Sequence, residues 1–419
     1  MKLVHAADLH VDSPMRGLER YENAPVEQMR GATRRALENL VTLCIDEEVA
    51  LLLLAGDLYD GDWKDYATGL YFAGQMSRLR HAGVEVAIVW GNHDAESQIS
   101  RHLQLPDNVT VLPSSEPGSV SYDELGVVVH GQSYAHPAET NDLASGYPEA
   151  VVGKLNVGLL HTAATGRAGH LPYAPCDVGT LTSKGYDYWA LGHVHAREVL
   201  SESPWIVFPG NLQGRHCKEN GPKGAMVIDV DDGAIRRGSF RVVDAVRWCL
   251  ATVDVEEAET PFDVVDLVRQ RLESEVRAAE GRPLAVRVVL EGQTPAHGAL
   301  VDDEEGWINR LRAEANDLGT VWLEQVRLTT EPVIDVAGLS ARDDAVGQIA
   351  RALAELQHDD EGLAPLMAEL QDVHKKLPAE LRSAGPEGLR LDDPSTVRRL
   401  LREAENLVLA RLAAKGRDT

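Results

Sequence analysis

Cysteine is scarce in this 419-residue chain. Its four copies, Cys44, Cys176, Cys217 and Cys249, are scattered, with no CxxC pair. That spacing argues against a disulfide framework or a zinc knuckle and fits a reducing cytoplasm. Long apolar runs are missing as well. The most apolar stretch, Val49 to Ala55, stops at Gly56-Asp57, far short of the roughly 20 residues that span a bilayer. The N-terminus passes from Met1-Lys2-Leu3-Val4 directly to a histidine, so no signal peptide is expected. No internal repeat or long low-complexity stretch stands out. Positive charge is the third shortage: 41 Lys and Arg face 66 Asp and Glu, a net charge of −25. The deficit is spread along the chain, with 19 basic against 31 acidic residues up to position 240 and 22 against 35 beyond it. Nucleic-acid binders usually carry basic surface, because neutralising phosphates drives their affinity. Any binding to DNA would therefore need local patches, bound metal ions or a partner.

What is present is an ordinary globular composition, 44% hydrophobic and 26% charged, at a length that predicts two or three domains. The first 240 residues alternate in type. Lys2–Ala7 is β-rich, and Val26–Glu48 carries apolar residues at helical spacing. Ala50–Ala55 is a continuous apolar run, Tyr66–His81 is helical and Val84–Trp90 is strand-like. That β-α-β-α-β order predicts parallel strands in a layered α/β domain. Further strands are predicted at Val127–His130, Leu155–His161, Tyr188–Leu191, Trp205–Phe208, Ala225–Asp229 and Gly238–Val243. The later ones lie close together and suggest a second, more antiparallel sheet packed on the first. A small α+β unit is expected from Asp244, with strands at Trp248–Val255, Leu284–Leu290 and Thr320–Leu328 around helices at Pro261–Ala279 and Glu304–Asn316. From Ala341 the pattern is helical, punctuated by Pro378, Gly385-Pro386 and Pro394. The expected organisation is 1–243, 244–335 and 336–419.

Five short polar motifs each follow a predicted apolar strand. They are Asp8-Leu9-His10, Gly56-Asp57-Leu58-Tyr59-Asp60, Gly91-Asn92-His93-Asp94, His161 at the end of Gly158-Leu159-Leu160-His161, and Gly192-His193-Val194-His195. In open α/β sheets, ligands bind beyond the carboxyl ends of the strands, so five such clusters are expected to converge on one edge. Glycines at 56, 91 and 192 would let the backbone turn there. Asp, His and Asn offer oxygen and nitrogen donors to divalent metals such as manganese, iron or zinc. A pair of ions needs a carboxylate between them, and Asp57 is the natural candidate.

This set of motifs resembles the calcineurin-like metallophosphoesterases across about residues 1–240. The resemblance implies one metal held by Asp8, His10, Asp57 and His195, and another held by Asp57, Asn92, His161 and His193. It implies a catalytic role for His93, with Asp94 steadying the Asn92-His93 pair. Three stretches, Ala7 to Pro14, Tyr188 to His195 and Phe208 to His216, further resemble the SbcD-type DNA-repair exonucleases and their YhaO-like subgroup. That narrower resemblance implies a four-layer α/β/β/α sandwich with a small α+β capping domain and C-terminal helices. It also implies two divalent ions, with Mn2+ the expected metal, and hydrolysis of DNA phosphodiester bonds in repair. The implied partners are DNA and an SMC-type coiled-coil ATPase docked on the C-terminal helices. A homodimer through helices near the N-terminus is expected from the resemblance alone.

Each residue also has a plainer reading. A lone Asp-x-His is more often a turn or cap, and Gly-Asn-His-Asp alone could be a loop of turn-favouring residues. The five motifs together, in order and each after a strand, are what favour metal binding. His5 reads as a core histidine. Arg215 and His216 are candidate phosphate contacts or members of a solvated loop, and His170, with Tyr173, is a candidate lining of the substrate groove. A small-molecule metallophosphoesterase, either a phosphomonoesterase or a cyclic-nucleotide phosphodiesterase, would explain the same motifs and the acidity. It would not explain the capping unit or the helical tail.

Overall fold

The computed structural model describes residues 1–14, 25–60, 66–96, 103–164, 173–333, 336–358, 360–377, 382 and 389–415. They form two compact units. One holds Met1–Ala251, Leu272–Arg287 and Ala315–Gln325, and the other holds Thr252–Arg271, Val288–Glu314 and Val326–Thr419. Among the described residues, no helix is long and apolar enough to cross a membrane.

The first unit opens with β1 (Lys2–Ala6), α1 (Val26–Arg30), α2 (Ala32–Asp46), β2 (Val49–Ala55), α3 (Tyr66–His81), β3 (Glu85–Val89), α4 (Asn92–Glu96) and β4 (Val109–Val111). It continues through β5 (Gly118–Tyr122), β6 (Val127–Gly131), β7 (Leu155–His161), α5 (Val178–Ser183), β8 (Tyr188–Gly192), β9 (Glu198–Glu202), β10 (Trp205–Phe208), β11 (Gly224–Asp231) and β12 (Ala234–Val242). These strands form two six-stranded sheets, ordered β12-β11-β1-β2-β3-β4 and β5-β6-β7-β8-β10-β9. The predicted run β1 to β3 is parallel.

The side-chain alternation of a strand explains the layering. On β2, Leu52 and Leu54 face a core shared with Ala36, Leu37 and Leu40 of α2 and Phe72 and Met76 of α3. Leu51, Leu53 and Ala55 face the opposite way, against Val157 and Leu159 of β7 and Tyr188 and Ala190 of β8. Leu160, Trp189 and Leu191 then point to a third core with Tyr147, Leu181 and Tyr186. Three cores separate four layers, so the α/β/β/α arrangement follows from strands buried on both faces. Complete burial of Leu51 to Leu54 stabilises the fold by about 1.5–3 kcal/mol per side chain.

The second sheet differs from the expected antiparallel one. Its centre, β6-β7-β8-β10, is parallel, and only its outermost strands β5 and β9 run antiparallel to their neighbours. The late strands β11 and β12 do not belong to it. They return to the first sheet, where β11 pairs antiparallel with β1. β7 and β8 are buried throughout, as is usual for parallel strands covered on both sides. Closeness in sequence is a poor guide to neighbours here. The short strands β4, β5 and β9 escape prediction because none is fully buried: β4 is only three residues long, and β5 and β9 mix polar residues with apolar ones.

A three-stranded sheet, β13-β14-β15, is built from β13 (Arg247–Asp254), β14 (Leu284–Thr294) and β15 (Val321–Pro332). Helices α6 (Pro261–Ala278), α7 (His297–Asp302) and α8 (Glu304–Asp317) connect them. The chain then continues as α9 (Val336–Ser340), α10 (Ala345–His358), α11 (Asp360–Lys376) and α12 (Pro394–Lys415), with α10 packed on α9 and α12.

The two large sheets meet closely at the carboxyl ends of β2, β7 and β8. A Cβ placed on Gly192 would lie 1.9 Å from the Ala55 carbonyl oxygen. Only hydrogen fits there, so the glycine serves close approach rather than a turn. Gly56, at φ +87°, does serve a turn. Gly192→Ala is expected to lower stability by about 2–3 kcal/mol through overpacking. Gly74→Ala, on an exposed face of α3 with open space around it, should raise stability by about 0.5–1 kcal/mol. Urea denaturation midpoints of the two variants check both signs.

Candidate metal centre

The loop after β1 is laced to the loop after β2. Asp8 N donates to Gly56 O (3.0 Å), His10 N to Asp57 O (3.0 Å) and Val11 N to Leu58 O (2.9 Å). Asp8, His10 and Asp57 adopt left-handed backbone, at φ 51°, 43° and 54°, and His193 sits at φ 100°. Such conformations cost about 1–2 kcal/mol each for residues with a Cβ and gather where function fixes a side chain's direction. The second sheet is tied in by His193 N, which donates to both Asp8 oxygens at 3.1 and 3.0 Å. The start of α4 is tied in by His93 N, which donates to Asp57 Oδ1 at 3.0 Å. Asp94 completes the fastening by accepting from Leu58 N (2.9 Å), Tyr59 N (3.1 Å) and Gly91 N (3.0 Å).

Two clusters of donor atoms result. Ligand atoms of Asp8, His10 and His195 lie within 4.8 Å of one another, as do those of Asp57, His161 and His193. Asp57 Oδ2 stands between them, 3.9 Å from His10 Nε2 and 3.4 Å from His161 Nε2. Asn92 Oδ1 joins the second cluster, 3.0 Å from His161 Nε2.

The hydrogen bonds behind the first cluster assign its protons. His10 Nδ1 donates to Asp60 Oδ1 (2.7 Å) and His195 Nδ1 donates to Glu219 Oε1 (2.7 Å). Carboxylates only accept, and at His195 Nδ1 the Glu219 contact is much shorter than the 3.3 Å approach of Arg215 Nη2, so both Nδ1 atoms carry hydrogen and a neutral ring must present an Nε2 lone pair. Those two Nε2 atoms face each other at 3.4 Å. Asp8 Oδ1 lies 3.9 Å from one of them and Asp57 Oδ2 lies 3.9 Å from the other. Lone pairs and carboxylates aimed at one point repel, and a cation between them removes the repulsion. The donor set fits a divalent metal.

Charge in the second cluster points the same way. Burial opposes ionisation of Asp57, but His161, by charge and hydrogen bond, together with His10 and His93, holds its carboxyl well below the usual carboxylate range. Burial would strip the proton from His161, yet Asp57 and Asp8 lift that ring to about 9. This position draws positive charge. His10 behaves differently: burial, then the Arg215 charge, push it down to about 4 against the pull of Asp60. It is a neutral ring at pH 7. For Asp94, burial and then the Asp57 charge raise the carboxyl to about 8, opposed by the N–H groups of Gly91 and Tyr59.

The structure thus brings together Asp8, His10, Asp57, Asn92, His161, His193 and His195, with His93 and Asp94 alongside. The His93 ring centroid lies 5.2 Å from that of His10. Arg215 lies behind the cluster and is largely buried, with Nη2 3.1 Å from Glu219 Oε1 and Nη1 3.5 Å from Asp60 Oδ1. His216 is half exposed, its Nε2 3.7 Å from Glu219 Oε1. His170 lies outside the described residues. Asp60 and Glu219 receive no role from the sequence. Their only signals are the place of Asp60 in the second motif and the four-residue spacing between Arg215 and Glu219. His5 is fully buried, bonded to Tyr188 Oη (3.0 Å) and Leu191 O (3.1 Å), and burial pushes it down to about 3.

If Asp57 serves both clusters, Asp57→Asn should weaken metal retention at both, whereas His161→Asn should spare the Asp8–His10–His195 position. Bound manganese per chain after desalting measures this. Two ions retained by Asp57→Asn would contradict the shared carboxylate.

Comparison with known proteins agrees with this geometry. The calcineurin-like phosphoesterase family matches residues 1–197, and the middle domain of the metallophosphoesterase YhaO matches residues 248–331. The chain is 35% identical over 299 residues to an uncharacterized metallophosphoesterase, YhaO, of Bacillus subtilis, covering 70% of this chain and 72% of that protein. It is 26% identical to a DNA double-strand break repair protein Mre11 of Methanopyrus kandleri, over 73% of this chain and 68% of that one. It is 22% identical to the D component of the nuclease SbcCD of Staphylococcus epidermidis, over 65% of this chain and 75% of that one. The chain belongs to the calcineurin-like metallophosphoesterases, as a YhaO-like member of the branch that contains Mre11 and the D component of SbcCD.

Proposed function

We propose that this phosphoester hydrolase is a two-metal nuclease that cleaves DNA phosphodiester bonds. The observation carrying the proposal is the pair of donor clusters on either side of Asp57. Asp8, His10, Asp57 and His195 would hold one ion, and Asp57, Asn92, His161 and His193 the other, with Mn2+ suited to the mixed nitrogen and oxygen set. Bound ions would supply positive charge to the phosphate oxygens and lower the pKa of a water.

The remaining steps belong to the chain. Asp8 holds the His193 backbone in place, and Asp57 does the same for His93. The His93 ring, beside the clusters, donates a proton to the leaving oxygen or stabilises charge on the transition state. Asp94 keeps α4 at the right distance through its three backbone bonds. Similarity to a DNA double-strand break repair protein, Mre11, and to the nuclease SbcCD supports DNA as substrate. The reading extends to a capping domain at 244–335 and a C-terminal segment at 336–419 that docks an SMC-type ATPase. Val373 of α11 and Val408 of α12 are exposed there.

One observation favours a second reading, a small-molecule phosphoesterase. The net charge of −25 opposes unaided binding to a polyanion. A substrate panel separates the two: manganese-loaded protein is offered linear duplex DNA, single-stranded DNA, a cyclic dinucleotide and a chromogenic phosphomonoester. The nuclease reading expects turnover of linear DNA, and activity on the small substrates alone would replace it. His93→Ala should cut DNA turnover by about 100-fold or more with metal content nearly intact. Loss of both metals in that variant would make His93 structural.

A further inference from the structure

We infer that Asp60 and Glu219, bridged by Arg215, are positioning residues dedicated to one of the two ion positions, the one built from Asp8, His10 and His195. The inference rests on the two-ion reading above and adds an asymmetry to it. Both histidines of this position have Nδ1 fixed by a carboxylate, His10 by Asp60 and His195 by Glu219, each at 2.7 Å. The guanidinium of Arg215 spans the two carboxylates, at 3.5 Å from Asp60 and 3.1 Å from Glu219. Glu219 is itself buried and held by more than charge. Its Oε2 accepts from Arg215 N (2.8 Å) and from Asn211 Nδ2 (2.9 Å). Histidine, carboxylate, arginine, carboxylate and histidine thus form one chain around a single ion position. At the other position, His161 Nδ1 donates to a backbone carbonyl, Ala55 O, at 2.9 Å.

The two kinds of support have different consequences. A carboxylate behind a histidine fixes its tautomer and raises its basicity as a ligand, and loss of such a group typically costs about 10- to 100-fold in metal affinity. A backbone carbonyl fixes orientation without adding charge. Two carboxylates this close to each other repel, and Arg215 offsets that repulsion while keeping both oxygens on their histidines. The role differs from phosphate contact, because both ends of the Arg215 fork already face carboxylates. Removing Arg215 would also increase the attraction for a cation, so the carboxylate variants are the decisive ones.

The test is a calorimetric titration of the full chain with Mn2+. Wild type should take two ions. Glu219→Gln should weaken one binding step by about 10- to 100-fold and leave the other in place. Combining it with His161→Asn should remove the remaining step. Glu219→Asp separates positioning from charge: it keeps the negative charge but is one methylene too short to reach His195, so it should behave like Glu219→Gln. If Glu219→Gln fails to fold, Asp60→Asn addresses the same ion position through His10. A wild type that binds no Mn2+ would overturn the two-ion reading itself. A wild type that binds two, with Glu219→Gln or Glu219→Asp at wild-type affinity, would overturn this inference alone. Equal weakening of both steps would also overturn it, since the network would then serve no particular ion.

Discussion

The carboxylate of Asp57 is the constraint around which the rest of the first unit is arranged. It is buried, charged and set between the Nε2 atoms of His10 and His161. An isolated buried anion costs several kcal/mol, so it persists only where positive charge or donated hydrogen bonds surround it. Here the donors are the His93 N–H and the His161 ring, and they come from two different strand ends. The left-handed backbone at Asp8, His10, Asp57 and His193 follows from this demand. So do the glycine at 192, where the two sheets touch, and the glycine at 56, where the backbone turns.

The two donor clusters are unequal in a way that bears on chemistry. His10 and His195 are braced by side-chain carboxylates and a guanidinium, and His161 by a backbone carbonyl. Rigid second-sphere support suits an ion that stays bound between turnovers. The acidic exterior is a separate constraint. It repels a polyanion at long range, and physiological salt screens that repulsion beyond about 8 Å. Contact with DNA phosphates would then depend on charge concentrated at the centre itself or brought by a partner.

Much of this was legible in the sequence, and the reasons are physical. The apolar runs of β2, β7 and β8 announce strands covered on both faces, and Asp-x-His, Gly-Asn-His-Asp and His-x-His mark the points where those strands end. Burial and donor chemistry are local properties, so they survive in a linear reading. Sheet assignment is not local: β11 pairs with β1 across more than two hundred residues, and no pattern in Gly224–Asp231 announces that partner. The roles of Asp60 and Glu219 are hidden for a similar reason. In the sequence Arg215 is a candidate phosphate contact or part of a solvated loop, and Glu219 has no role until the fold places His195 beside it. The glycine at 192 stands out in the sequence as a turn residue, whereas its use is close packing, and steric closeness between sheets leaves no trace in one strand's own residues.

Crystals grown with Mn2+ and measured at the manganese absorption edge test the central claim most directly. Two anomalous peaks about 3.5–4 Å apart, with Asp57 touching both and His10 and His195 flanking one of them, are the predicted result. A single peak, or two peaks of which Asp57 touches only one or neither, would contradict it.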